Sequence, residues 1–554
     1  MMKLSTLRKV FSLLQPIERW LVLFLAMLIC STLYWNWHIF YTARTTLIPH
    51  DGGSITEGII GRPEFINPLL ASSPTDEALV HAIFSGLYRY NATGTVVPDL
   101  AARMPEISPD EKQYTVTLLP NVQWHDGTPL TARDIVFTIE QIKNEAVGSP
   151  HRDAWLSTTA EEISPTTVRF STKDVSGPFL HNLTIPILPQ HIWSTITPTQ
   201  YSQTVYNTKP IGSGPFTFVQ YKKDPTGKLS TLTLKAFPSH PRSPHIHTLT
   251  FSFYDTAQQL EQAYVNGDIN LTGTHTSDVS SHIQENATTQ TTVRIAQYQA
   301  AFFNQTTPAL QELSVRKALR IAVDSNELTQ SAWGNAYHAL SETPLGLVTS
   351  ETTTTTADLE RANQILETAG WKRTASGVRT KSGHILSVQL YTSNSTAFRA
   401  TAELLAHQWK QLGVTTEVYT MPTSQLISEH VRPRIYDVLL FSQRSNADPD
   451  AFAFWHSSQS KDPGLNVSNF RSTEADQLII QARTTTNANE RVSLYNRLRG
   501  LLDTQVPALY INQSQYGYFS QGAISLPELT ALPDPSWRTA FLTEAYARTT
   551  RSWK

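Results

Sequence analysis

A stretch without any charged residue near the start of this chain of 554 residues constrains its fold more than any other feature. No Asp, Glu, Lys or Arg occurs at residues 20–43, where aliphatic and aromatic side chains dominate. A helix rises about 1.5 Å per residue, so the stretch is long enough to cross a hydrocarbon layer of about 30 Å. Aromatic residues stand at both ends, as in the belts of membrane proteins. We therefore predict a membrane-spanning segment.

The charges in front of this segment give its orientation. Basic residues outnumber the single acid, Glu18, and they are Lys3, Arg8, Lys9 and Arg19. Basic flanks stay on the cytoplasmic side, so the main body of the protein is expected outside the cytoplasm. We predict a cytoplasmic basic tail at residues 1–19, a single-pass membrane anchor or uncleaved signal at residues 20–41, and a linker at residues 42–50.

Two other interpretations of the segment fit less well. A cleavable signal peptide has a shorter apolar run, closely followed by a small-x-small cleavage site, and no such site follows here. A lipoprotein signal needs a small residue before its cysteine, whereas Cys30 follows Leu28 and Ile29. Cys30 is also the single cysteine of the chain, which excludes an internal disulfide bond and a cysteine-based metal site.

Composition and length indicate a globular protein with more than one lobe. The chain is 40% apolar and 16% charged, and it exceeds the size at which one hydrophobic core stops growing. Its formal net charge of −2 gives no reason to expect nucleic acid binding. We predict no cofactor.

Patterns of strands and helices alternate along the body. Alternating apolar residues predict a strand at 113–118, and helical spacing predicts a helix at 131–143, capped by Thr131 with Asp134 in the first turn. The same patterns predict strands at 249–253 and 436–441 and helices at 314–323, 357–369 and 400–412. They are typical of an α/β or α+β protein of two lobes.

The stretch VQWHDGTPLTARDIVF, residues 122–137, has the residue types of an active site. However, His125 and Asp126 are adjacent, and adjacent side chains on an extended chain point to opposite sides. The chain also lacks a Gly-x-Ser-x-Gly elbow and a His-Glu-x-x-His motif. We therefore interpret the stretch as a strand, a tight turn and a capped helix.

Two further stretches are candidate sites. The histidines in SHPRSPHIHTL, residues 239–249, could bind a metal, but no carboxylate is interspersed with them, and a solvated loop is favoured. The stretch SQRSNADPDAFAFW, residues 442–455, follows a strand predicted to be buried. Polar groups at the carboxyl end of such a strand favour either a ligand cleft or a polar loop, and the residues alone leave both open.

Short motifs spread over most of the body resemble one known family. They lie at residues 65–69, 83–90, 97–101, 121–139, 187–191, 209–216, 263–269, 303–304, 315–319, 369–371 and 448–452. In this order they are similar to the solute-binding components of peptide-type ABC importers, the oligopeptide- and dipeptide-binding proteins of solute-binding family 5. Each motif is weak alone, whereas the ordered set is specific.

The resemblance implies an α/β fold of two lobes, with an enlarged first lobe, that closes on a ligand without making or breaking bonds. The first lobe is expected at residues 51–300 and 511–554, with an inserted subdomain at about 91–205, and the second at 301–510. A monomer is expected that delivers peptides to ABC permease subunits. A receptor, a binder of a non-peptide solute such as a sugar or metal chelate, and a hydrolase on the same scaffold remain alternatives.

The resemblance also implies where a peptide binds. The expected edges are residues 61–65 of the first lobe and 442–448 of the second. The expected ligand-binding residues are Arg62, Phe65, Asn304, Gln443, Arg444, Ser445, Asp448 and Trp455. One residue departs from the family pattern: Ser445 stands where peptide binders often carry an acid for the amino terminus of the ligand. Asp448 could replace that acid, or the ligand could lack a free amine there.

Overall fold

One mixed β-sheet runs through the body of the molecule in the computed structural model. The structure describes residues 15–276, 279–333, 338–340, 343–345, 356–445, 447–547 and 549–553. Most of the predicted basic tail, residues 1–14, lies outside this part of the chain.

The strands are numbered β1 to β23 in chain order. They are Thr45–Pro49, Ser54–Ile60, Tyr88–Tyr90, Val96–Pro98, Glu106–Ile107, Gln113–Thr117, Thr158–Ser164, Thr167–Thr172, Phe216–Lys223, Leu229–Ala236, Thr248–Tyr254, Leu271–His275, Thr289–Phe303, His338–Ala339, Lys372–Arg373, Arg379–Lys381, His384–Ile385, Ser387–Ser393, Thr415–Met421, Val438–Arg444, Ala508–Ser520, Ala531–Leu532 and Thr549–Trp553.

The α-helices are numbered α1 to α17 in the same way. They are Pro16–Arg44, Pro74–Ile83, Ala132–Lys143, Arg152–Trp155, Phe179–Asn182, Gln190–Trp193, Ala257–Asn266, Ser281–Asn286, Pro308–Gln311, Leu313–Ile321, Ser325–Trp333, Leu359–Thr368, Thr396–Gln411, Thr423–Leu426, Phe452–Trp455, Thr473–Arg483 and Ala488–Gln505. Short 3₁₀ turns include Pro535–Phe541.

Two long central strands connect the halves of the large sheet, whose order is β19-β18-β20-β13-β21-β12-β2-β11-β10-β9. β13 and β21 are antiparallel neighbours; β13 also pairs with β20 on one side, and β21 with β12 on the other. The register of their ladder is irregular between Arg294 and Tyr298. These strands are therefore the two crossovers between the halves.

Separate hydrophobic cores lie on the two sides of the crossovers. The larger core is built from residues 55–295 and 516–545, with Ala447 added from the other side. Two clusters between residues 298 and 511 form the other side. We call these sides the first and second lobes, and a separate four-stranded sheet, β5-β6-β8-β7, lies in the first. The exact lobe boundaries given above stay a prediction.

Several locally predicted elements are confirmed. The strand at 113–118 is β6, and the helix at 131–143 is α3, with Thr131 at its N-cap. The backbone N–H of Thr131 donates to the Asp134 carboxylate at 2.8 Å, which completes a capping box. These elements were predictable because neighbouring residues alone determine the periodicity and the cap.

The chain after the apolar segment is more ordered than the predicted linker. Helix α1 continues to Arg44, and β1 follows at once and pairs with β23. The linker predicted at 42–50 thus contains the end of a helix and an edge strand. Its strand partner lies about 500 residues further along the chain, so local sequence could not predict the pairing.

Candidate ligand-binding cleft

A cavity of about 580 Å³ lies at the seam between the two lobes. The first lobe lines it with Glu77, His81, Tyr90, His151, His181, Asp534 and Trp537. The second lobe lines it with Arg444, Ser445, Asp448, Asp450 and Arg483. A concave site of this size, with aromatic walls and a few converging charged groups, is typical of small-ligand and peptide sites.

Strand β20 brings its polar end into this cavity. Its first three residues are buried apolar side chains, and the exposed Arg444 follows at the end of the strand. The next residue, Ser445, donates its backbone N–H to the carbonyl of Ala296 at 2.8 Å. β13 thereby holds the chain in place beyond the last residue of β20.

Arg444 forms an ion pair across the seam. Its guanidinium lies 3.2 Å from the carboxylate of Asp534, which belongs to the first lobe. Burial, followed by the nearby charge of Asp534, raises the pKa of Glu77 to about 7, although Arg444 opposes this shift. Arg444 therefore pairs directly with Asp534 and acts on Glu77 only through its charge, and the Glu77 carboxyl is about half protonated at pH 7.

Asp448 is the most enclosed charged group at the cavity, with 3% of its surface exposed. Nη2 of Arg491 lies 2.8 Å from both of its carboxylate oxygens, and Nε2 of His181 lies 3.2 Å from Oδ2. Burial opposes ionisation, but the contacts with His181 and Arg491 outweigh it, and the pKa of Asp448 lies below its ordinary value. Asp448 thus has one side-chain partner from each lobe, the imidazole of His181 and the guanidinium of Arg491, before any ligand is considered.

The lobes also touch outside the charged cluster. The backbone N–H of Gly177 donates to the carbonyl of Arg483 at 2.8 Å, and the N–H of Thr486 donates to the Glu111 carboxylate at 2.9 Å. Each bond joins the inserted four-stranded region of the first lobe to the helical face of the second. The cleft is therefore closed in this structure.

An aromatic wall covers the first-lobe side of the cavity. The ring of Trp537 meets Tyr90 edge-on at 4.9 Å and lies 3.9 Å from the His81 ring, measured between centroids. Burial lowers the pKa of His81 to about 4, so this imidazole is neutral at physiological pH. The wall offers apolar contact beside the charged groups.

Three of the predicted ligand residues of the second lobe are part of the fold and do not line the cavity. Gln443 accepts a hydrogen bond from the Tyr298 hydroxyl, and the buried amide of Asn304 donates to the carbonyl of Tyr436 at 2.9 Å. Trp455 packs in the second-lobe core. None of the three lines the cavity, and each is engaged in holding β13, β20 or the following turn.

Two predicted residues of the first lobe lie elsewhere. Arg62 forms ion pairs with Asp255 and Asp224, each at 2.8 Å, beside a different surface pocket. Phe65 is half-buried, and its backbone N–H donates to Asp76 at 3.1 Å. Of the predicted set, the structure therefore brings Arg444, Ser445 and Asp448 into the cavity.

The first-lobe wall was missed from the sequence. Glu77 lies in an ordinary first turn of helix α2, and Asp534 caps a short 3₁₀ turn. His181 lies within the four-residue helix α5, which carries no distinctive motif. Each has a local role in its own element, and only the folding of the first lobe brings these distant residues together, so no local signal pointed to them.

The histidines of residues 122–137 and 239–249, considered above as candidate sites, form hydrogen bonds or ion pairs with residues that do not line the cavity. Both ring nitrogens of His125 bond to the backbone of Gly212 and Gly214, and Asp126 pairs with His191 at 2.8 Å. His240 bonds to Ser85 in the first lobe. Within the described part of the chain, no three His, Cys, Asp or Glu side chains are arranged to hold a metal ion.

Comparison with known proteins agrees with this architecture. A family model described as bacterial extracellular solute-binding proteins, family 5, matches residues 95–466. The oligopeptide-binding protein AppA of Bacillus subtilis is 25% identical over 493 residues, which cover 87% of this chain and 88% of AppA. The dipeptide-binding protein of Escherichia coli is 26% identical over 493 residues, covering 82% of this chain and 88% of that protein.

A solved structure extends the likeness to the whole fold. The ABC transporter substrate-binding protein CtaP of Listeria monocytogenes superposes with a TM-score of 0.76 at 26% identity, over 90% of this chain and 99% of CtaP. The α/β fold class and the family resemblance inferred from the motifs are thereby confirmed. The chain belongs to family 5 of the bacterial extracellular solute-binding proteins.

Proposed function

We propose that this protein captures peptides in the cleft between its lobes and delivers them to an ABC importer. One observation carries the proposal: the cavity has one wall from each lobe, with charged groups of both signs facing it. A ligand that contacts both walls stabilises the closed form by its differential affinity, and a permease can recognise that form. Similarity to AppA and to the dipeptide-binding protein supports peptides as the ligand class.

The amino terminus of the peptide binds to the first lobe in this proposal. Ser445 offers no charge, and Asp448 is already paired with Arg491. Arg444 already pairs with Asp534, whereas the Glu77 carboxyl, with its pKa raised to about 7, can still gain from a cation beside it. A ligand ammonium would replace the proton that Glu77 holds near neutral pH, and the aromatic wall formed by Trp537 would cover the adjoining backbone.

The protein stays attached to the membrane by helix α1 in this proposal. The window Trp20–Arg44 is long and apolar, and its side chains are not buried against the body. Trp20, Phe24 and Trp35 are each more than 60% exposed, a surface that water disfavours and a bilayer would cover. The body would then lie on the outer face of the membrane, beside the permease.

Native mass spectrometry of the gently purified protein tests the ligand class. Co-purified peptides, displaced by added synthetic tripeptides to pentapeptides, are the expected result. A sugar or a metal chelate in place of peptides would contradict the proposal. Prolonged incubation of the protein with a peptide library should leave the peptides intact, whereas turnover abolished by His125→Ala would favour a hydrolase.

Titration calorimetry tests the amine site with matched ligands. A peptide with a free amino terminus should lose at least tenfold in affinity in Glu77→Gln, while its N-acetylated form should bind wild type and variant equally weakly. Asp153→Asn is the control, because this acid lines the same cavity and is not among the charges that shift the pKa of Glu77. Equal losses for both peptides, or a loss only in Asp448→Asn, would place the amine elsewhere.

A further inference from the structure

A short β-ribbon stands directly at the end of helix α1. The helix ends at Arg44, and β1 begins at the next residue, Thr45. β23 pairs with β1 in antiparallel register, so that Trp553 is opposite Thr45 and Thr549 is opposite Pro49. β23 therefore runs from the body towards the end of the helix.

This register determines the depth of β23 without any assumption about helix tilt. Opposed residues of an antiparallel ladder are about 4.5–5.5 Å apart between Cα atoms. Since Thr45 directly follows the membrane-spanning window Trp20–Arg44, Trp553 lies level with the end of that window. In a membrane, this level is the headgroup layer on the outer face.

The sequence of β23 suits that layer. Its residues, TTRSW, include a tryptophan and an arginine and no acid. Tryptophan concentrates at membrane interfaces because its ring is amphipathic, and basic residues near the surface are attracted to anionic headgroups. Arg44, at the helix end, adds a second basic residue at the same level and lies over the ring of Phe40 at 5.3 Å.

We infer that β23 binds the anionic headgroup layer and gives the protein a second, interfacial contact with the membrane beside its helix. The inference rests on the proposed anchor, because it needs α1 to remain in the bilayer. The ribbon then replaces a flexible linker with a paired structure. It holds the first lobe close to the membrane surface, since β2 of that lobe begins only five residues after β1 ends.

Depth-dependent quenching in vesicles tests this inference on the full chain. A fluorophore is attached at Ser552→Cys in a Cys30→Ser background, which leaves Trp553 and Arg551 in place. The matched control carries the label at Lys410→Cys, an exposed position of helix α13 in the second lobe. Vesicles contain phosphatidylcholine and phosphatidylglycerol in a 3:1 ratio, with a headgroup spin-labelled lipid as quencher.

The expected result is at least threefold stronger quenching at position 552 than at position 410. Adding Arg551→Gln and Trp553→Ser together should reduce that quenching by half or more, and so should vesicles of phosphatidylcholine alone. Equal quenching at both positions would overturn the inference, and so would quenching that these changes leave unaltered. Quenching that appears only with the permease present would assign the ribbon to a protein partner and also overturn it.

Two measurements separate this inference from the anchor on which it rests. Flotation with vesicles and the intact mass of the cellular protein show whether helix α1 is retained in a membrane. A chain that floats, retains the helix and shows no quenching contradicts the interfacial contact alone. A disulfide between Thr46→Cys and Ser552→Cys, which are opposed in the ribbon, checks the pairing itself; its failure to form would contradict the inference as well.

Discussion

Two stretches of this protein carry similar residue types and have different roles. Residues 122–137 contain a tryptophan, a histidine and two aspartates, and every polar contact described for them lies within the first lobe. Residues 442–455 contain an arginine and two aspartates, and two of their contacts cross the seam, from Arg444 to Asp534 and from Asp448 to His181. An acid whose partners lie in its own lobe stabilises the fold of that lobe. An acid with partners in both lobes stabilises the closed arrangement of the two lobes.

The largest expected effect is on the acid that is shared between the lobes. Asp448→Ala leaves the half-buried Arg491 without its partner, so the free energy of unfolding should fall by about 3–5 kcal/mol. Urea denaturation measures this change. The double variant Asp448→Ala/Arg491→Met should recover most of the loss. If the single variant unfolds like wild type, the Asp448–Arg491 pair does not contribute to stability. The two stretches would then not differ in how much their acids stabilise the fold.

The buried acid of the other stretch should matter for stability alone. Asp134 accepts hydrogen bonds from the backbone N–H groups of Thr131 and Gln190 at 2.8 and 2.9 Å. Asp134→Ala removes this cap, and we expect a loss of about 1–2 kcal/mol in denaturation with peptide affinity unchanged. A lower affinity, measured where the variant is fully folded, would mean that the two stretches are coupled.

Peptide affinity at the cleft should depend on pH because Glu77 titrates near neutral pH. Glu77, with its pKa raised to about 7, is protonated in the free protein below that pH. A ligand ammonium needs the ionised form, so affinity should rise about fivefold between pH 6 and pH 7, above which the peptide α-amino group, with a pKa of about 7.7–8.0, begins to lose its own charge. Calorimetry with a free-amine peptide measures the rise, and Glu77→Gln should flatten it. The same slope in the variant would assign the titration to another group.

Protonation of Glu77 weakens peptide binding but stabilises the folded state of the unliganded protein. The pKa of Glu77 is higher in the folded than in the unfolded chain, so the folded state binds more protons between about pH 4.5 and pH 7. The stabilising contribution of protonated Glu77 is complete below that window and is lost as the pH rises through 7. Peptide affinity and the stability of the free protein should therefore change in opposite directions with pH.

The smallest expected effect is on the exposed pair of the first stretch. Asp126 and His191 are each about one-third exposed, and surface ion pairs contribute little. Asp126→Asn should change the free energy of unfolding by less than about 0.5 kcal/mol and leave peptide affinity as it is. A clear loss of affinity, checked by calorimetry beside Asp134→Ala, would mean that this stretch does take part in binding.

Part of the site was predictable because it follows a buried strand. Val438, Leu439 and Leu440 form an apolar run, and the polar residues after them had to leave the sheet at its edge. The residues alone left a ligand cleft and a polar loop open there, and the family resemblance then gave Arg444, Ser445 and Asp448. Arg62 and Phe65 were chosen by resemblance, and their actual partners, Asp255 and Asp76, lie where no short-range pattern indicates them.

The sequence by itself determined the elements that neighbouring residues control: the apolar helix α1, the capped helix α3 and the buried strand β20. Their hydrophobic period, caps and charges act over a few residues, so they are independent of the rest of the fold. Only the tertiary structure decided that Arg444 pairs with Asp534, that Asp448 contacts His181 and Arg491, and that β1 pairs with β23. These groups are far apart along the chain, and the closure of the lobes and of the sheet brings them within bonding distance.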